Sequence, residues 1–191
     1  MSRVLDQAYG HPLPAEEDAS GPLAGGILQR GYQCGMVWGA ALAAGAEAYR
    51  RYGEGVEAEV AAIRTSGKVA QLFHDANETV NCIDLTGIDH TSTSREMAVS
   101  FFLKGGIIRC YRMAARYGPQ AFDKIDEALL GRTEALEPPV SCAAMVAERV
   151  GASPMQNVMA SGLAGGIGLR GGGCGALGAA IWLTGLKSLE E

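Results

Sequence analysis

The chain has 191 residues, enough to bury a real core without disulfide staples. Hydrophobic residues at 48% and charged residues at 19% exclude a disordered chain. A net charge of −5, a pI near 5.3 and the lack of any Lys/Arg run argue against nucleic acid as a partner, because nothing would neutralise its phosphates.

In chain order, MSRVLDQAYGHPLPAEEDAS at residues 1–20 has no apolar run of signal-peptide length and reads as a flexible, Pro-containing N-terminal arm. Residues 21–191 read as a single helical domain. Residues 36–52 form a small-residue helix whose basic last turn before Gly53 suits a helix C-terminus. Residues 55–76 are Ala/Val-rich and carry Lys68, Phe73 and His74. The stretch NETVNCIDLTGIDHTST is rich in turn formers, and Thr93 to Glu96 makes a capping box for a helix through Leu103. A helix over IIRCYRMAARY follows, and Pro119 opens another that Gly131 ends. Residues 132–140 are the best internal linker. After it come SCAAMVAERV, a Ser153-Pro-Met-Gln156 helix start with capping-box spacing, and a last helix from near Cys174. Periodicity of this kind, with little strand-like alternation, predicts an all-α, compact helical bundle.

An internal repeat runs through this bundle. LAGGILQRGYQCGMVWGAALAAG at 23–45 aligns without a gap on LAGGIGLRGGGCGALGAAIWLTG at 163–185, at an offset of 140 residues from Cys34 to Cys174. Each copy is a glycine-led helix with a cysteine at its start. The second copy is apolar enough to raise the question of a membrane span, but Arg170 in its middle and its clustered glycines favour a buried helix pair.

Five cysteines without a secretory signal point to a reducing, cytoplasmic setting, where thiols serve as buried hydrophobes, metal ligands or redox groups. Cys34 and Cys174 sit where a thiolate would meet unpaired helix N–H groups, and Arg30 and Arg170, four residues upstream, add positive charge. The competing reading is small-residue packing, with Gly35 and Gly39 at GxxxG spacing. Cys82 lies in a loop. Cys110 shares a helix face with Ile107, Ala114 and Tyr117, and Cys142 shares one with Met145, Val146 and Val150, both of which fit a buried cysteine. His11, His74 and His90 are candidate bases or ligands, though each also fits a solvated histidine. No C-x-x-C or zinc-finger spacing occurs, so any cluster must be assembled by tertiary structure.

These segments resemble a redox-active protein family named for its pattern: a cysteine, then Gly-Cys-Ala-x-x-Gly, then two further cysteines. CGMVWGA at 34–40 is similar to the central stretch, with Met36 in the alanine place, and MASGLAGGIGLRGGGCGALGAA repeats it around Cys174. VNCIDLTGID places Cys82 on the third motif cysteine and KGGIIRCYRMAARY places Cys110 on the fourth. SCAAMVAERVG resembles the opening helix, giving Cys142 the first position, so the segments stand in a permuted, partly duplicated order: one unit without its opening helix joined to one without its closing half.

The resemblance implies cysteine-based redox work, by thiol–disulfide exchange or electron transfer as a thiol-dependent oxidoreductase. Cys34 would be the low-pKa thiolate and Cys82 its resolving partner, with Cys110 the next candidate; Cys142 and Cys174, flanked by Arg30 and Arg170, would complete a second site. It also admits an iron–sulfur cluster or other thiolate-bound metal on Cys34, Cys82, Cys110 and Cys142. The partner is expected to be a redox protein or small molecule, and the small-residue helix faces suit a homodimer. From another class, the helices could form a non-catalytic interaction module.

Overall fold

The computed structural model describes residues 1–87, 99, 102–103, 105–131 and 141–190. The helices are α1 (Ser2–Ala8), α2 (Pro14–Ala19), a short 3-10 turn (Gly21–Leu23), α3 (Gly35–Tyr52), α4 (Val56–Asn77), α5 (Cys82–Thr86), α6 (Gly106–Leu130), α7 (Cys142–Arg149), α8 (Pro154–Ser161) and α9 (Gly175–Glu190). Among the described residues no strand occurs, and one isolated antiparallel bridge joins Gln33 to Asn81. The protein is all-α. The capping box at 93–96, most of the helix expected after it, His90 and the linker at 132–140 lie outside the described residues.

α3 is the central rod. Its residues from Val37 to Ala48 are all buried, because α1, α4, α6 and α8 pack around it. An apolar surface on every side is what a fully surrounded helix requires, and alanine and glycine keep the neighbours close. α4 packs along α3 through Ala58, Ala62, Val69 and Phe73. α6 buries Tyr117, Ala121, Ile125 and Leu129, a four-residue spacing that puts them on one stripe. That stripe runs straight past Pro119, so the two helices expected on either side of this residue are one. Pro119 is on the exposed side, where its missing N–H leaves the core packing intact.

Residues 1–20 correct the expectation of a flexible arm. They form α1 and α2, with Leu5 and Ala19 buried in the core and Arg3 paired to Glu17. Their starts, Ser2 and Pro14, stand 140 residues before the starts of α7 and α8 at Cys142 and Pro154. The repeat therefore covers three helices: α1, α2 and α3 recur as α7, α8 and α9. The first copy has its opening helix after all, with Ser2 in the place of Cys142.

The two copies grip each other reciprocally. Gly45 of α3 meets α8, where an added Cβ would lie 2.5 Å from the Met159 Cα; the equivalent Gly185 of α9 meets α2, where a Cβ would lie 3.0 Å from the Ala19 carbonyl. Gly185 and Met159 are the repeat equivalents of Gly45 and Ala19, so the contact is a two-fold one within a single chain. Gly45 and Gly185, on the small-residue faces, are thus occupied inside the chain.

Candidate functional site

Both copies deliver their cysteine by the same unusual turn. Gly25, Gly26, Ile27, Leu28 and Gln29 have φ of 68°, 75°, 61°, 50° and 60°, and Gly165, Gly166, Ile167, Gly168 and Leu169 have 55°, 80°, 69°, 58° and 63°. Side-chain-bearing residues avoid this left-handed region by about 1–2 kcal/mol each. Matched hydrogen bonds hold it: Gly31 N–H donates to the Gly25 carbonyl at 3.0 Å and Gly171 N–H to the Gly165 carbonyl at 2.9 Å. Ile27 and Ile167 anchor the turn from inside the core. At Gly26 a Cβ would sit 2.3 Å from the Tyr32 carbonyl, so only glycine fits. The chain emerges with Cys34 as the N-cap of α3 and Cys174 immediately before α9.

From here the copies diverge. In the first, residues 31–34 pair with 80–83: Cys34 N–H donates to the Val80 carbonyl at 2.7 Å, Cys82 N–H to the Tyr32 carbonyl at 2.7 Å, and Ile83 N–H to the Gly31 carbonyl at 3.0 Å. Flanking the Gln33–Asn81 bridge, Cys34 and Cys82 are diagonal neighbours on one face, a relation that sets Cα atoms about 7–8 Å apart and Cβ atoms somewhat closer. Cys110 comes from α6, which packs on α5. Cys34 and Cys82 are buried, Cys110 is half-buried, and all five cysteines are free thiols.

Burial decides the acidity of these thiols. It pushes Cys34 up to about 12, with Cys82 and Cys110 adding to the rise and a hydrogen bond from the Met36 N–H opposing it. Burial also raises Cys82, with the neighbouring Thr86 side chain opposing the rise, and raises Cys110, against the Arg109 charge. Cys34 is therefore not the low-pKa thiolate expected from its helix start: the N–H groups are there, but desolvation outweighs them. Arg30 and Arg170 are exposed, and neither is among the charges acting on the three raised thiols. Cys82 and Cys110 act on Cys34, and Cys110 acts on Cys82, so the fold puts these three in one region without drawing them into a single ligating group.

It does not bring in the other two. Cys142 and Cys174 are exposed on the second copy. The expected buried face of Cys142, Met145, Val146 and Val150 does not form: α7 turns Ala143 and Ala147 inward instead, leaving Met145 and Val150 exposed. Where the first copy's Gly31 carbonyl takes the Ile83 N–H, the second copy's Gly171 carbonyl takes the side-chain amide of Gln33 at 2.8 Å; the same amide reaches the Gly166 carbonyl at 3.1 Å. A single glutamine thus fills part of the place of a whole cysteine-bearing segment. Among the described residues, no group of three or more His, Cys, Asp or Glu side chains is close enough to hold a metal ion. Cys34, Cys82, Cys110 and Cys142 therefore form no four-thiolate set here: Cys142 belongs to the other copy, and the remaining three are not close enough by themselves to make such a group. His74 is exposed beside Asp75 at the end of α4, and His11 is exposed near α1.

Two residues that sequence reasoning did not assign to the site stand beside the thiols. Tyr117 is buried, packs edge-on against Phe73 and donates its hydroxyl to the Val69 carbonyl at 3.0 Å; burial raises its pKa and Cys34 adds to the rise. Its seven-residue spacing from Cys110 on α6 was the available signal. Thr86 donates its hydroxyl to the Cys82 carbonyl at 2.6 Å, and four-residue spacing within α5 would have found it.

The fold is all-helical, with Cys34, Cys82 and Cys110 on helix starts and faces. The chain belongs to the family described as "Putative redox-active protein (C_GCAxxG_C_C)", whose model matches residues 1–118. The match spans α1 and all of Cys34, Cys82 and Cys110, and it ends before the second copy. No curated protein and no solved structure matches the chain. Among the described residues no helix is long and apolar enough to cross a membrane.

Proposed function

We propose that the protein is a thiol–disulfide exchange protein whose working sulfurs are Cys34, Cys82 and Cys110. The observation that carries this reading is the 31–34 to 80–83 pairing, which holds two motif cysteines as diagonal neighbours and under the electrostatic influence of the third. Cys110 is the most accessible of the three; burial raises its thiol and the Arg109 charge opposes that rise, and its exposure lets it make the first attack. The Cys110 thiolate displaces one thiolate from a substrate disulfide and forms a mixed disulfide. The Cys82 thiolate then attacks the Cys110 sulfur, expels the second thiolate and closes a Cys82–Cys110 disulfide. The substrate gains two electrons and the protein loses two; Cys34 can exchange with the new disulfide from behind.

A disulfide needs Cβ atoms about 3.5–4.5 Å apart, so closing Cys82 onto Cys110 calls for α5 to move against α6, and a Cys34–Cys82 link would likewise have to draw diagonal neighbours closer than they ordinarily stand. The five-residue α5 is the element suited to that move. Mild oxidation followed by peptide mapping tests the reading: a linkage among Cys34, Cys82 and Cys110 supports it. An anaerobic preparation holding stoichiometric thiolate-bound metal, with no such linkage on oxidation, would replace it with metal chemistry.

A further inference from the structure

The α6 helix that carries Cys110 also carries three arginines on one side. Arg109, Arg112 and Arg116 follow a three- and four-residue spacing, which aligns them along one face. They line a cavity of about 890 Å³ between α6 and the end of α4, with Asn77 and Gln120 as further polar groups and Ile108 and Met113 as apolar wall. The three arginines form no ion pair among the described residues, although the chain carries a net charge of −5. A volume of this size matches a small-molecule ligand, and guanidinium forks select carboxylates and phosphates. Cys110 is next to Arg109 in sequence and one turn from Met113, and Tyr117 lines the same cavity while lying under the influence of Cys34. The groove and Cys110 therefore share one helix, with Cys110 not itself among the lining residues but flanked on α6 by Arg109 and Met113, which are.

We propose that this groove binds a small-molecule disulfide carrying two or more carboxylate or phosphate groups, with Arg109, Arg112 and Arg116 holding the anions while Cys110 attacks the sulfur. This rests on the thiol-exchange reading. The chemistry is the first exchange given above: the Cys110–S bond to the substrate forms, the substrate S–S bond breaks, and the departing thiolate leaves with its electron pair.

The test uses the full chain and the double variant Arg112→Gln/Arg116→Gln, whose two positions are exposed and outside the core. Calorimetry with inorganic pyrophosphate is expected to show binding to the wild type at low salt that weakens about tenfold or more in the variant. Modification of Cys110 by an aromatic disulfide bearing two carboxylates is expected to run about tenfold or more faster than by an uncharged dipyridyl disulfide, and the variant should erase that preference. Absent pyrophosphate binding, binding unchanged in the variant, or an unaltered rate preference would overturn the assignment. Pyrophosphate binding that persists in a protein forming no linkage among Cys34, Cys82 and Cys110 would overturn the exchange reading instead, which keeps the two failures apart.

Discussion

The two copies of the repeat share a turn, three helices and a cysteine, yet only the first pairs its cysteine-bearing segment with a second one. In the first copy Cys34 is covered, paired through its backbone with residues 80–83 and influenced by Cys82 and Cys110. In the second, Cys174 is bare, and Gln33 reaches across to bond two carbonyls of its turn. The motif therefore presents a sulfur; what makes that sulfur part of a set is the segment that docks beside it. The glycines serve both readings of the sequence, since Gly26 permits the turn while Gly45 and Gly185 permit the close packing between copies.

The sharpest way to break the comparison is at the first helical position of each copy. A Cβ at Gly175 would lie 1.7 Å from the Leu163 carbonyl, whereas one at Gly35 would lie 3.0 Å from the Ala24 Cα. Gly175→Ala is expected to cost about 3 kcal/mol or more and Gly35→Ala about 1 kcal/mol, read as urea midpoints. Equal costs would show that the two turns do not differ in tightness.

A second contrast is Asp6, whose repeat equivalent is Val146. Asp6 is 1% exposed with both carboxylate oxygens unpartnered, and burial pushes it up to about 7. Its folded pKa exceeds the ordinary value of 3.8, so the folded state holds a proton that the unfolded chain releases between these limits. Stability from this group is therefore present below pH 3.8 and lost as pH rises towards about 7. Asp6→Val is expected to flatten that stretch of the stability curve and to raise stability at pH 8. A curve of unchanged slope would contradict the unpaired burial.

Thiol labelling gives a kinetic contrast. At pH 7 a maleimide is expected to modify Cys142 and Cys174 first, Cys110 next and Cys34 last. With Cys34 pushed up from 9.0 to about 12, its thiolate fraction falls on the order of a thousandfold. Between these pH values the unfolded chain loses a proton that folded Cys34 keeps, so Cys34 also weakens the fold as pH rises through that window. Rapid labelling of Cys34 in the native protein would refute the burial argument. The smallest effect expected is at Gln33: Gln33→Ala removes two hydrogen bonds to the second turn and should cost about 1–2 kcal/mol without altering Cys82 labelling.

Much of the fold could be read from the sequence because its signals are local. The capping box at Ser153 and Gln156 is formed as its spacing predicts, and α3 ends at Gly53 after its basic turn. Residues 1–20 were harder, because their two helices are short and owe their order to Leu5 and Ala19 docking on distant elements rather than to strong periodicity. Of the site, Cys34 at a helix start and Cys110 on a helix face could be inferred, whereas Cys82, expected in a loop, is the first residue of the short α5, and the pairing of residues 31–34 with 80–83 that sets it beside Cys34 is encoded by no local pattern. The acidity of Cys34 is hidden from the sequence for the same reason. A helix start is visible in one dimension, whereas the burial that overrides it is a property of the packed chain.

The most direct test of the central claim is disulfide mapping after brief, stoichiometric oxidation of the native protein. The account predicts a linkage confined to Cys34, Cys82 and Cys110, reversible by a dithiol and abolished by Cys82→Ser, with Cys142→Ser and Cys174→Ser leaving it intact. Oxidation that leaves those three thiols free, or that links only Cys142 to Cys174, would contradict it.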